Sequence, residues 1–171
     1  MRIRTPLAAA ALVTLGLAAA APADTSQRVE TFDGTGVGKV KVGKLFSKLR
    51  ADGLVGPKRP GCPLGGTDTR SARLKAPLKG SVDLTTRRKP RRVRSISLTG
   101  GARARGVGIG STIAQIKAAF PGAKVDHGTD ETFGLTLVTV PKKAGGRFSF
   151  AVDTTTKKTT QIGIPFIPFC E

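Results

Sequence analysis

The chain has no tryptophan and no tyrosine among its 171 residues, and its eight phenylalanines are the whole aromatic content. Proteins that bind single-stranded nucleic acid stack bases on aromatic rings. In the basic half of this chain only Phe46 lies among the charges, at a helical spacing that indicates a core position. No helical pattern gathers arginines on one face, as a groove-reading helix would. The composition therefore argues against sequence-specific nucleic-acid binding.

Histidine and cysteine are also scarce, which restricts catalysis and metal binding. His127 is the only histidine, and Asp126, Asp130 and Glu131 lie nearby. Such a group could form a general base or a weak cation site. However, no positioned nucleophile and no second metal ligand accompany it. We therefore expect a protein that is not an enzyme, and we expect no metal and no cofactor.

Two glycine-rich stretches resemble nucleotide-binding motifs only in part. Residues 38–45 have the glycine and lysine spacing of a phosphate-binding loop, but Leu45 stands where Ser or Thr would hold magnesium. Residues 106–110 match half of a dinucleotide fingerprint, without a surrounding parallel βαβ pattern. The glycines are better explained by close packing where a strand enters a helix.

The first 23 residues have the pattern of a secretory signal peptide. Arg2 and Arg4 precede an apolar stretch, 7–20, and small residues at 21–23 form a cleavage site. The alternative is a membrane anchor, for which the apolar stretch is short. We expect cleavage, a mature chain of residues 24–171 outside the cell, and no transmembrane segment after it.

The two cysteines, Cys62 and Cys170, belong to a chain that is predicted to leave the reducing cytosol. An even number of cysteines in an oxidising compartment favours a disulfide bond. Two free thiols are the alternative. A disulfide would join the penultimate residue to the loop that follows the first predicted helix.

Positive charge is concentrated in one part of the chain. Residues 37–106 hold 19 basic and three acidic side chains, whereas residues 107–171 hold seven and five. Such an asymmetry creates a field that attracts polyanions and accelerates encounter with them. An anionic polymer or an anionic membrane surface is therefore the expected partner.

The densest cluster of cations lies between two predicted strands of a hairpin, at 82–84 and 96–98. Pro90 marks the turn. We predict that the six cations at this tip form the anion-binding site: Arg87, Arg88, Lys89, Arg91, Arg92 and Arg94. A purely solubilising loop is the alternative.

The sequence repeats one pattern about 66 residues apart. Residues 40–43 lead into a helical pattern, and residues 107–110 do the same. The predicted hairpin at 82–98 likewise corresponds to 148–164. The domain prediction is a signal peptide (1–23), a polar lead-in (24–36), a basic first repeat (37–105) and a second repeat (106–171) with most of the aromatic core.

Each predicted unit is a short strand, a helix and a hairpin. The first helix spans about 44–52, and Gly53 ends it. The second begins at Thr112, three residues before Gln115, which is the spacing of a capping box. The predicted fold is α+β, with two tandem strand–helix–hairpin repeats that form one antiparallel sheet and place both helices on one face.

The repeat resembles that of small secreted actinobacterial tandem-repeat proteins. The matching residues are 40–49, 82–98, 107–120 and the closing Phe169-Cys170. A similar unit occurs in the β-lactamase inhibitory proteins and in small outer-membrane assembly lipoproteins. The resemblance implies the fold and a non-catalytic binding role. The inhibitors use exposed aromatics and one disulfide in each half, neither of which is found here, so the resemblance does not imply β-lactamase inhibition.

Two hypotheses of function follow. The first is an exported binding protein of bacterial composition that engages an anionic envelope or extracellular component through the basic hairpin tip. The alternative is a protein-binding inhibitor or assembly factor that uses the sheet face and recognises a protein partner.

Overall fold

The computed structural model describes residues 29–86, 89–141 and 146–169. Within these residues the fold is mixed α+β, with most strands in two sheets and few helices. The predicted signal peptide, 1–23, lies outside the described residues, as do Arg87, Arg88 and Cys170.

Most elements along the described chain are short strands, and a few short helices lie between them. The first half contains β1 (Glu30–Asp33), β2 (Gly36–Val37), β3 (Val40–Lys41), α1 (Phe46–Ala51), β4 (Arg59–Pro60), a 3-10 turn (Pro63–Gly65), β5 (Arg70–Arg73), β6 (Lys79–Leu84) and β7 (Val93–Gly100). The second contains β8 (Ala102–Ala104), β9 (Val107–Gly108), α2 (Ile113–Ala119), β10 (Lys124–Asp126), α3 (Asp130–Phe133), β11 (Leu135–Pro141), β12 (Arg147–Asp153) and β13 (Thr159–Ile164).

The larger sheet has eight strands, all antiparallel, in the order β10-β11-β12-β13-β7-β6-β5-β4. At its centre β13 pairs with β7, with Ile162 opposite Leu98 and Ile164 opposite Ile96. The two predicted hairpins, β6–β7 and β12–β13, are present and lie next to each other. Each is built from strands that alternate apolar and polar residues.

A second sheet, of five short strands, has the order β3-β2-β1-β8-β9. Its central strand, β1, pairs in parallel with β8. The prediction of one antiparallel sheet is therefore incomplete, because strands of two to four residues have no detectable periodicity. Part of the predicted polar lead-in forms β1, and its Phe32 is buried.

The core lies between the two sheets and the helices. Phe148 and Phe150 of β12 meet Phe32 of β1 edge to face, with ring centroids 5.2 and 6.1 Å apart. Leu49 of α1 and Ile116 of α2 are fully buried in the same cluster. Aromatic pairs in this geometry stabilise a core beyond the area that they bury.

Both predicted helices are confirmed, with different ends. α1 runs from Phe46 to Ala51, and Gly53 follows it at a positive φ of 70°, which favours glycine. α2 begins after Thr112, whose hydroxyl accepts from the backbone N–H of Gln115 while the Gln115 side chain accepts from the Thr112 N–H. This is the predicted capping box.

Candidate functional site

The basic cluster lies in the connection between β6 and β7 and in the first residues of β7. Lys89, Arg92 and Arg94 are exposed, and Arg91 is half-buried. Arg87 and Arg88 lie outside the described residues, so their place in the predicted site stays a prediction.

Backbone carbonyl groups fix two of these arginines. The Nη1 of Arg91 donates to the carbonyl oxygens of Thr85 at 2.7 Å and Asp68 at 3.1 Å. The Nη1 of Arg92 donates to the carbonyl oxygen of Gly43 at 2.9 Å. A carbonyl group orients a guanidinium group without neutralising it, and arginine keeps its charge at all relevant pH values. These two cations are therefore held in place and remain charged.

Arg94, the last of the predicted cations, lies at a β-bulge. Leu84 pairs with Val93 and Asp83 pairs with Ser95, which leaves Arg94 as the extra residue. Bulges redirect side chains relative to the regular alternation of a strand. The guanidinium group of Arg94 lies over the ring of Phe166, 5.5 Å from its centroid. Arg94 also lines a cavity together with Asp83 and Ser95. That all six cations form one anion-binding site stays a prediction.

Few carboxylates neutralise the basic first half. Across residues 29–86, 89–141 and 146–169, ion pairs within 4 Å join Lys41 to Asp33 and His127 to Asp130. Of the 17 basic side chains that are described between residues 37 and 106, only Lys41 is in such a pair. Among the described residues, ion pairs therefore leave almost all of the positive charge of residues 37–106 uncompensated.

The C-terminal segment, residues 165–169, covers part of the face of the large sheet that lies opposite the core. Ile162 and Ile164 point into the core, so Gly163 between them faces the other way. A Cβ at Gly163 would lie 2.3 Å from the carbonyl oxygen of Phe166, which shows how closely the segment approaches. Ile167 is buried there, and Phe169 stacks on Phe133 with ring centroids 4.5 Å apart.

The C-terminal segment also reaches the loop that contains Cys62. The Cys62 Sγ lies 3.8 Å from the carbonyl oxygen of Phe169, the residue before Cys170. Cys62 is not a free thiol. Its predicted partner lies outside the described residues, so the disulfide bond between the two stays a prediction.

Sequence reasoning missed an acidic residue on this same face. Asp83 lies on β6 among basic neighbours, and the hydroxyl of Ser95 donates to its Oδ2 at 3.0 Å. Burial raises the pKa of Asp83 above its ordinary value; the bond from Ser95 and the charge of Arg94 oppose the rise. A lone acid between two buried strand residues, Val82 and Leu84, was the available signal.

We expect Asp83→Asn to increase the stability of the protein at neutral pH. Because the folded pKa is raised, the folded state holds a proton that the unfolded state loses near pH 3.8. Stability therefore falls as the pH rises from that value through the folded pKa, and it stays lower above it. An asparagine at this position does not ionise, so the variant does not lose stability as the pH rises. Chemical denaturation should show a gain at pH 7 that disappears below pH 3.8, and no such pH-dependent gain in the exposed control Asp68→Asn.

His127 forms a small polar network with Asp130. The His127 Nδ1 lies 2.8 Å from the Asp130 Oδ2, and the Thr136 hydroxyl donates to Oδ1 at 2.8 Å. The bond with His127 is the main cause that lowers the pKa of Asp130. His127 itself is 70% exposed. The network ties α3 to β11, and no nucleophilic side chain is bonded to the histidine in the part of the chain that the structure describes.

The glycine-rich stretch at 38–45 uses its backbone groups within the fold. The N–H of Gly43 donates to the carbonyl oxygen of Val93 at 2.8 Å, and that of Lys44 donates to Lys41 at 3.2 Å. A phosphate-binding loop needs such N–H groups free. In the three described stretches, no group of three or more His, Cys, Asp or Glu residues is placed to hold a metal ion.

The described residues contain no helix of the length and apolar character that crossing a membrane requires. No protein-family model, no curated protein and no solved structure matches the chain.

Proposed function

We propose that the protein is an exported, non-catalytic binding protein whose first half engages an anionic polymer or an anionic membrane surface. The observation that carries the proposal is the set of unpaired cations between residues 37 and 106, where only Lys41 contacts a carboxylate among the described side chains. Cations near an anionic surface contribute roughly 1 kcal/mol each to binding. Their affinity falls as salt rises, because bound counterions are released on binding.

The arginines at the tip support this proposal in a second way. Arg91 and Arg92 are held by carbonyl groups before any ligand arrives, so less side-chain freedom is lost on binding. Their remaining N–H donors match phosphate, sulfate or carboxylate oxygens. We place the contact surface at Lys89, Arg91 and Arg92, with Arg87 and Arg88 as predicted neighbours.

The alternative, a protein-binding inhibitor or assembly factor that uses the sheet face, has less support. One face of the large sheet packs on the core, and residues 165–167 cross the centre of the other at Gly163. A partner protein would have to displace the buried Ile167 to reach the central strands. A protein partner that binds elsewhere on the surface is compatible with these contacts.

We also propose that the two halves are copies of one unit with its helix on the core face. In support, α1 and α2 begin 67 residues apart, at Phe46 and Ile113. The strand order of the large sheet is the same read outward from its centre on either side. The charge difference would then distinguish two copies of one scaffold, and only the first copy would carry the basic surface.

The test is a titration of the chain 24–171 with four anionic ligands: a heparin-like polysaccharide, DNA, an anionic cell-wall polymer and vesicles of anionic lipid. Each titration is run at low and at physiological salt. We expect saturable binding to at least one ligand, with a steep dependence on salt and some affinity left at physiological salt. Weak binding to all four ligands that disappears at physiological salt would contradict the proposal and would mean that the positive charge serves only to keep the protein soluble.

A further inference from the structure

A cavity of about 330 Å³ lies on the face of the large sheet that the C-terminal segment covers. The segment forms one wall, with Phe166 and Phe169, and the 3-10 turn after Cys62 forms another, with Leu64. Leu64 is 74% exposed, so its side chain is accessible from solvent. Small-molecule sites begin at about this volume and are mostly apolar with a few convergent polar groups.

Three polar side chains meet at the floor of this cavity because of the bulge in β7. Asp83 and Ser95 face each other across β6 and β7, and the extra residue of the bulge, Arg94, lines the cavity beside them. Ser95 is completely buried and is bonded to one carboxylate oxygen of Asp83. The carboxylate has capacity for further hydrogen bonds, because each of its oxygens accepts two.

Residues of opposite charge line this cavity, the acidic Asp83 and the basic Arg94 and Arg70, without forming an ion pair. Among the described residues, no cation lies within 4 Å of the Asp83 carboxylate, and the Arg94 guanidinium lies over the Phe166 ring instead. Arg70 also lines the cavity, and its Nη1 donates to the carbonyl oxygens of Thr67 and Thr69, so its charge is not neutralised. The site therefore holds both an anionic and a cationic group in apolar surroundings.

The fold does not require these polar residues. A second bulge lies between β12 and β13, where Ala151 pairs with Gln161, Val152 pairs with Thr159 and Thr160 is the extra residue. Alanine thus stands opposite Gln161 where Asp83 stands opposite Ser95. The same backbone irregularity forms without a buried carboxylate, so the cost of burying Asp83 is not a cost of making the bulge.

We propose that this cavity binds a small apolar zwitterion, an aromatic or aliphatic α-amino acid. Its ammonium group pairs with Asp83, its carboxylate pairs with Arg94 and Arg70, and its side chain packs against Phe166 and Leu64. A ligand with only a negative charge would be repelled by the Asp83 carboxylate, and a ligand with only a positive charge would be repelled by the two guanidinium groups. A zwitterion pairs with the carboxylate and the guanidinium groups at once. In an α-amino acid the ammonium and carboxylate groups are bonded to the same carbon, so they can reach Asp83 and Arg94, which lie close together on β6 and β7.

The proposal goes beyond polyanion binding and does not depend on it. It is tested by calorimetric titration with L- and D-phenylalanine, N-acetylphenylalanine and phenethylamine. The last two each lack one of the two charges. We expect saturable binding of one phenylalanine enantiomer at millimolar concentration or below, and at least tenfold weaker binding of both analogues. No saturable binding of either enantiomer overturns the proposal, as does equal affinity for all four.

Two variants locate the site. Asp83→Asn should weaken phenylalanine binding at least tenfold and leave N-acetylphenylalanine binding unchanged or stronger, because the repelling carboxylate is gone. Arg94→Gln should weaken phenylalanine binding and leave phenethylamine binding unchanged or stronger. Asp52→Asn and Arg59→Gln, which are exposed and outside the cavity, are the matched controls. If Asp83→Asn binds phenylalanine as the wild type does, the phenylalanine site is not this cavity. Whatever the result with phenylalanine, the Asp83→Asn variant should bind polyanions as the wild type does.

Discussion

Replacing Phe148 with alanine is expected to lower the free energy of unfolding by about 3–5 kcal/mol, the usual cost of replacing a buried phenylalanine with alanine. Phe148 is 1% exposed. Its ring contacts those of Phe32, Phe120 and Phe150 at centroid distances of 5.2, 5.3 and 5.7 Å. These partners come from β1, the end of α2 and β12, so a cavity at Phe148 weakens the contact between both sheets and the second helix.

Urea denaturation of the wild type and of Phe148→Ala measures this loss. Leu64→Ala is the control, because Leu64 is 74% exposed and its truncation should change stability by less than about 0.5 kcal/mol. A loss below about 1 kcal/mol in Phe148→Ala would mean that the ring cluster does not hold the two sheets together.

Neutralising Arg87, Arg88 and Lys89 should weaken polyanion binding by about a hundredfold. The variant changes Arg87, Arg88 and Lys89 to serine and keeps Arg91 and Arg92, whose bonds to carbonyl groups shape the connection. Three cations near an anionic surface contribute roughly 3 kcal/mol, and a factor of ten corresponds to about 1.4 kcal/mol. The slope of affinity against salt should also become shallower.

The matched control removes the same charge from the second half, with Lys117, Lys124 and Lys158 changed to serine. All three side chains are exposed. Binding to vesicles of anionic lipid and to a heparin-like polysaccharide is compared at one salt concentration. Equal losses in the two variants would show that net charge, and not the position of the cations, determines binding.

Local patterns predicted the elements that local contacts build. The Thr112 and Gln115 spacing gave the cap of α2, and the alternation of Val82, Leu84, Ile96 and Leu98 gave the β6 and β7 strands. Each of these signals depends on neighbours within one or two turns or on a period of two, so no knowledge of distant contacts is needed.

The second sheet and the covered face depend on contacts between distant parts of the chain. β1 pairs with β8, about 70 residues later, through two residue pairs that leave no periodic signal. The C-terminal segment contains two prolines and reads as an irregular tail, yet it packs over Gly163 and buries Ile167. Nothing within either segment indicates its distant partner.

The candidate sites divide in the same way. Charge counting indicated which half is basic, because composition does not depend on the fold. The bulge at Arg94 was not predictable, since its position depends on the pairing register of β6 and β7. That bulge lies where Arg94, Asp83 and Ser95 line one cavity.

The position of the polyanion on the protein tests the central claim most directly. Amide chemical-shift mapping of the isotopically labelled chain 24–171, titrated with a heparin-like polysaccharide at physiological salt, reports it without any substitution. We expect the largest shifts in residues 85–93 and at Gly43, whose carbonyl group holds Arg92. Shifts concentrated in residues 107–164, or spread evenly over both halves, would contradict the account.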